Sequence, residues 1–124
     1  MLRAWERREM KTEFEDRPLG FSLAVIRLVA EFPRSPVGDV VGRQLLKSST
    51  AVGTNYREAN HAESKEDFVH KTGIAEKEAA ETVYWLELCD RGKIGVDAEA
   101  QRLLTEANEL LAIITTINRK AKHR

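Results

Sequence analysis

The sequence predicts an all-α protein, an antiparallel up-down-up-down four-helix bundle with a first helix shorter than the others. Helix-breaking residues are few and clustered: Pro18 with Gly20, "FPRSP" from Phe32 to Pro36, "HAES" from His61 to Ser64, and "RGKIGVD" from Arg91 to Asp97. Between these breaks, apolar positions recur at alternating steps of three and four, the spacing of one helix face. The connections are short, which sets consecutive helices side by side and antiparallel with a left-handed twist.

In this reading residues 18–122 form the bundle and residues 1–17 an N-terminal extension. The extension alternates acid and base, and Leu2, Trp5 and Met10 give it only a weak apolar face. The first helix runs from Leu19 to Glu31 on Phe21, Val25, Leu28 and Phe32. Ser35-Pro36 opens the second, with a serine able to cap and a proline in the first turn, where its missing N–H is not needed. That helix reaches about Asn60 on Val41, Leu45, Ser48, Val52, Asn55 and Ala59. Small residues (Ser48, Ser49, Ala51, Gly53, Ala59) crowd its second half and allow a neighbour to approach closely. Gly53 costs about 1 kcal/mol relative to alanine in a helix interior, so a packing reason for it is expected.

Ser64-Lys65-Glu66-Asp67 resembles a capping box and starts the third helix at Lys65. Its seam is Phe68, Thr72, Ala75, Ala79, Thr82, Leu86 and Cys89. Arg91 suits the negative C-terminal end, and Gly92 a left-handed stop. Asp97 is the expected cap of the fourth helix, whose seam is Ala100, Leu103, Ala107, Leu110, Ile114, Ile117 and Ala121.

A length of 124 residues suits one domain, and twenty basic against twenty acidic residues leave no global field to attract nucleic acid. Cys89 is the one cysteine and has no internal partner for a disulfide. No apolar run follows "MLRAWERREMK", and the longest apolar stretches, such as Leu110 to Ile114, are too short to span a bilayer. A soluble, cytoplasmic protein without membrane contact is expected.

Glu58 with His61, and Asp67 with His70, each put a carboxylate and an imidazole three residues apart, as di-iron bundles do. Both pairs flank the turn at one bundle end, and Phe68 already occupies the third seam. A metal-dependent enzyme is therefore the third reading, behind two non-catalytic ones, and no catalytic residue, metal or cofactor is expected. Cys89 sits in an apolar seam with no histidine near it in sequence. Ser48, Ser49 and Thr50 lack the strand-to-helix turn of a nucleophile elbow.

Asn55 lies on the second seam, one turn from Glu58. A buried amide must be hydrogen-bonded and commonly fixes helix register or subunit pairing. Glu81 is its expected partner, through Arg57 or Tyr84. Two basic clusters remain: Arg119, Lys120, Lys122 and Arg124 on the fourth helix, and Arg43, Lys47 and Arg57 on the second. They read either as solvated, dipole-compensating ends or as phosphate contacts.

The stretches "GRQLLKSSTAVGTNYREA" (Gly42 to Ala59) and "SKEDFVHKTGIAEKEAAETVYWLEL" (Ser64 to Leu88) resemble bacterial four-helix-bundle proteins first noted in intervening sequences of large-subunit ribosomal RNA genes. The accessory protein of diversity-generating retroelements is similar to them. The resemblance spans roughly Phe21 to Ile117. It implies a homopentamer, with nucleic-acid binding in the retroelement branch. It also implies that Asn55 and Glu58 are the family's helix-two pair and Glu81 its helix-three glutamate. Thr54, Arg57, Ala59, Lys77 and Glu78 depart from the residues typical of those motifs. The expected function is a non-catalytic oligomeric binding module presenting basic side chains to RNA or a protein partner; the alternative is a structural adaptor without nucleic-acid affinity.

Overall fold

The structure is a computed structural model that describes the backbone of residues 4–95 and 97–124, and the side chains of residues 14–95 and 97–124. Four helices follow one another: α1 (Ala4–Ala30), α2 (Pro36–Asn60), α3 (Lys65–Gly92) and α4 (Asp97–Lys122). Each packs on the next, and α1 closes the bundle against α4, leaning more on α2 than on α4. The short connections make the order up-down-up-down.

The expected helix starts hold at α2 and α3. Ser35 Oγ accepts from Gly38 N at 2.9 Å, and Ser64 Oγ from Asp67 N at 3.0 Å, so each serine satisfies a first-turn N–H. Two end details differ from expectation. Asp97 is the first helical residue of α4 rather than its cap, where its carboxylate still favours the positive helix end. The left-handed stop of α3 falls on Lys93 (φ 57°) instead of Gly92, one residue later than expected. Gly95 then takes φ 82° under Phe32, and an added Cβ there would stand 2.7 Å from Phe32 Cε1.

The expectation of a short first helix is overturned. At 27 residues α1 matches its neighbours of 25, 28 and 26, because it continues through Pro18 into the stretch read as an extension. Proline in a helix interior costs about 3 kcal/mol, since it lacks the N–H and its ring crowds the preceding turn. Tertiary contacts offset that cost. Pro18 is buried against α2, with Gly53 beneath its ring. Ser22 Oγ lies 3.1 Å from Pro18 O and 3.2 Å from Ser49 O, tying the helix to α2 one turn on. Before the proline, Phe14 meets Tyr56 edge-on at 4.6 Å, and Glu15 takes Arg57 at 3.1 Å and the Asn60 amide at 2.8 Å. Arg17 forks onto Glu106 of α4 with two 2.8 Å bonds.

The core follows the predicted seams. Phe21, Val25, Leu28, Leu45, Leu86, Leu103, Ala107 and Leu110 form its main cluster. Val52, Ala75, Ala79 and Ile114 fill one end, and Val41, Cys89 and Ala100 the other. Four seam positions, Phe32, Asn55, Phe68 and Ile117, are only half-buried, and in α4 the neighbouring Asn118 takes the interior place instead.

Candidate functional site

Most polar side chains inside the bundle bond one another or nearby backbone carbonyls; among the described residues Asp90 Oδ1 is buried without a hydrogen-bond partner. Thr82 Oγ1 and Ser48 Oγ are 2.9 Å apart and join α3 to α2. Asn118 donates to Val69 O at 2.9 Å and to Thr72 Oγ1 at 2.8 Å, joining α4 to α3. Burial pushes the Cys89 thiol up to about 11, so it stays protonated and inert near neutrality. Among the described residues, no three of His, Cys, Asp and Glu stand close enough to hold a metal ion. The pairs Glu58/His61 and Asp67/His70 therefore do not converge into a di-iron set, and Glu58 instead lies 3.7 Å from Lys71.

The polar residues expected to orient the helices act locally. Asn55 is half-buried and donates to Ala51 O of its own helix at 2.9 Å. Glu81 is exposed and accepts from Trp85 Nε1 at 3.3 Å, also within one helix. Arg57, the expected intermediary, is engaged with Glu15 on the other side of α2. Asn55, Glu58 and Glu81 do share a flank, because helical register sets Val37, Gln44, Ala51, Asn55 and Glu58 along the α3-facing edge of α2. Glu81, Trp85 and Leu88 follow the facing edge of α3.

That flank is apolar as well as polar. Val37 is 58 % exposed and Tyr84 60 %, with Val40 and Leu88 beside them. Tyr84 stands edge-on to Trp85 at 5.1 Å. A second apolar stripe, Leu19, Leu23 and Ile26, lies on α1, each residue nearly half exposed. It edges a groove of about 230 Å³ between α1 and α2, whose other wall is Thr50, Gly53, Thr54 and Arg57. Neither surface was read from the sequence. The signal for the second was present, since steps of four and three through Leu19, Leu23 and Ile26 make a stripe distinct from the seam through Phe21, Val25 and Leu28.

The two basic clusters lie apart. Arg43, Lys47 and Arg57 line the outer side of α2, whereas Arg119, Lys120, Lys122 and Arg124 are exposed at the end of α4. There Lys65 at the start of α3 donates to the Arg124 carbonyl, and an open groove runs between Lys65, Val69, His70 and Lys122. Among the described residues no helix is long and apolar enough to cross a membrane.

Comparison with known proteins agrees with this architecture. No match to a curated protein was found. A solved structure from Bacteroides thetaiotaomicron, of the S23 ribosomal protein family and of unknown function, shares 33 % identity over 84 % of this chain and 96 % of its own, with a TM-score of 0.77. The family model described as 23S rRNA-intervening sequence protein matches residues 12–116, starting in the part of α1 that precedes Pro18 and reaching into the last turns of α4. With all of α2 and α3 and most of α1 and α4 inside one match, the chain belongs to the 23S rRNA-intervening sequence protein family.

Proposed function

We propose that the protein is a non-catalytic, self-associating binding module. The observation that carries this reading is the exposure of large apolar side chains on two separate flanks of an otherwise well-sealed bundle. Scattered surface hydrophobics need no explanation, but stripes at helical spacing mark interaction surfaces. The flank between α2 and α3, with Val37, Val40, Tyr84 and Leu88 toward one end and Asn55 and Glu58 toward the other, suits self-association, for its polar groups can fix register while its apolar groups supply affinity. A homopentamer is the assembly that the family resemblance leads one to expect.

Nucleic acid is the ligand we assign to the exposed cations Arg119, Lys120, Lys122 and Arg124. In a ring each copy contributes one such cluster, so a chain of zero net charge still presents concentrated positive charge at its rim. The alternative is an adaptor that assembles without nucleic-acid affinity. Size exclusion with light scattering, with and without structured RNA at near-physiological salt, separates the two. A pentamer that shifts with RNA, and whose salt dependence weakens when residues 119–124 are removed, supports RNA binding; one that ignores RNA supports the adaptor. A monomer at all concentrations refutes the assembly.

A further inference from the structure

We propose that the groove between α1 and α2 receives Tyr84, with the α2–α3 flank around it, from a second copy of the chain, so that the two apolar flanks are the two halves of one head-to-tail contact. This rests on the self-association reading and deepens it, by naming the face that takes up the α2–α3 flank and the side chain that enters it.

Groove and flank differ as hole and knob. Leu19, Leu23 and Ile26 form one wall of the groove and Thr50, Gly53 and Thr54 the other, and its volume of about 230 Å³ has room for one large side chain. Its charges cancel, for Arg57 lies 3.1 Å from Glu15, so the lining favours an uncharged group. Thr50 and Thr54 give their hydroxyl protons to Leu46 O and Thr50 O of their own helix, which leaves both oxygens as acceptors. On the other flank Tyr84 is the most exposed large apolar side chain among the described residues. Its ring supplies an apolar body and its phenol a donor at the tip, the complement of a methyl-lined groove edged by hydroxyl acceptors.

The two surfaces also stand at matching heights. Ser22, next to Leu23, lies 3.2 Å from Ser49 O on α2, and Thr82, two residues before Tyr84, bonds Ser48. Because Ser48 and Ser49 are consecutive, Leu23 and Tyr84 differ by no more than about 5 Å along the bundle, at 1.5 Å rise per residue. Rotation without a climb can therefore bring Tyr84 of one copy to Leu23 of another. The helices lie close along the four sides of the bundle and not across its diagonals, so the two flanks are adjacent sides that share α2. Adjacent sides face directions about 90° apart, and contact between them turns each copy by a similar angle, which closes a ring after about four or five copies. Pairing each flank with itself would set hole against hole and Tyr84 against Tyr84. The head-to-tail contact covers both flanks at once.

The test uses the full chain and two substitutions that each spoil one face. Leu23→Asp and Tyr84→Asp should each reduce the assembly to monomer in light scattering. An equimolar mixture should recover a pair of twice the monomer mass, since the first variant keeps its α2–α3 flank and the second its groove. That pair cannot grow, because its two outer faces are the spoiled ones. A cross-link tests the same contact with Leu23 and Tyr84 in place: Thr50→Cys mixed with Glu81→Cys, both at exposed positions, should be joined by a short bis-maleimide. Neither variant alone should be joined, Cys89 being buried. Absence of both the recovered pair and the cross-link overturns the proposal, as does cross-linking of Thr50→Cys to itself. So does an assembly that survives Leu23→Asp but falls apart with Tyr84→Asp; the α2–α3 flank then pairs elsewhere, and the self-association reading stands without this one. A wild-type chain that is monomeric at all concentrations defeats both, whereas an assembly that ignores RNA and passes these tests defeats only the ligand assigned to the cations.

Discussion

Asn118 offers the sharpest test of what joins α3 to α4. Its side chain is 4 % exposed, and its amide spends both protons on α3, at Val69 O and Thr72 Oγ1. Each such bond contributes roughly 1 kcal/mol net, and Asn118→Ala also opens a small void, so the loss should be about 2–3 kcal/mol. For a chain of this size that lowers Tm by about 8–12 °C. Thr72 makes the bridge testable by a second route, because its hydroxyl lies 3.0 Å from Phe68 O as well as receiving the Asn118 proton. Thr72→Val alone strands one amide proton of Asn118, and Asn118→Leu alone strands the Thr72 oxygen. Making both sites apolar removes the need for either, so the double variant should lose less than the sum by at least about 1 kcal/mol. Urea unfolding of the four chains at one protein concentration measures the cycle, the concentration being fixed because assembly shifts apparent stability. A cost below about 0.5 kcal/mol for Asn118→Ala, or strict additivity in the cycle, would refute the bridging role.

The two glycines of α2 that face α1 should respond in opposite directions. An added Cβ at Gly53 meets Pro18 at an ordinary 3.5 Å, so Gly53→Ala should stabilise by about 0.5–1 kcal/mol in thermal melts; one at Gly42 meets Val29 Cγ1 at 2.9 Å, so Gly42→Ala should destabilise by about 1–3 kcal/mol. Lys93 holds φ 57° with an exposed 3.7 Å contact to Asp97, so Lys93→Gly should raise Tm, its relief of up to about 1 kcal/mol exceeding the weak ion pair it gives up. Burial raises the Cys89 thiol to about 11, above its unfolded value, so it contributes stability that is complete below the unfolded pKa and is lost as pH rises toward 11. A disulfide reagent at pH 8 should therefore label Cys89 only at the rate of unfolding, and rapid labelling of folded protein would count against its burial.

The fold was legible because the seams were. Every apolar seam residue from Phe21 through Ala121, apart from Phe32, Phe68 and Ile117, is buried, and both serine caps close the turns they were expected to close. The errors have a common origin in residues whose local preference was overruled by contacts from another helix. Pro18 reads as a break, yet Ser22, Ser49 and Gly53 hold the helix together around it. Gly92 reads as the stop, but the chain turns one residue later, where Lys93 and Gly95 bring the backbone beneath Phe32. Asn118 sits one position past Ile117 in a seam that the three-four pattern had already filled. Only the α3 groups it bonds, Val69 O and Thr72 Oγ1, reveal why an amide belongs there.

The candidate surfaces were harder to read for a different reason. Periodicity reports that a helix has an apolar face; it does not report how many faces its neighbours cover. In the second half of α1, after Pro18, Phe21, Val25 and Leu28 go to the core while Leu19, Leu23 and Ile26 point past it, and Arg27 is the one charged residue between Leu19 and Ala30, so this stretch is apolar on more than one side and its polar face is narrow. A helix apolar nearly all round normally belongs inside a larger structure, with other elements over each side. The bundle itself covers only one side of α1, for α1 packs on α2 and lightly on α4. The same logic applies to Asn55, which the seam assigns to the interior but which the structure leaves half-buried at its edge, bonded within its own helix. Deleting the apolar character of either flank should therefore leave the monomer's fold nearly unchanged while altering what it binds. Circular dichroism and melting of Leu23→Asp and Tyr84→Asp check this directly: a loss of more than about 2 kcal/mol in monomer stability for either would place those side chains in the core and remove the argument for a docking surface.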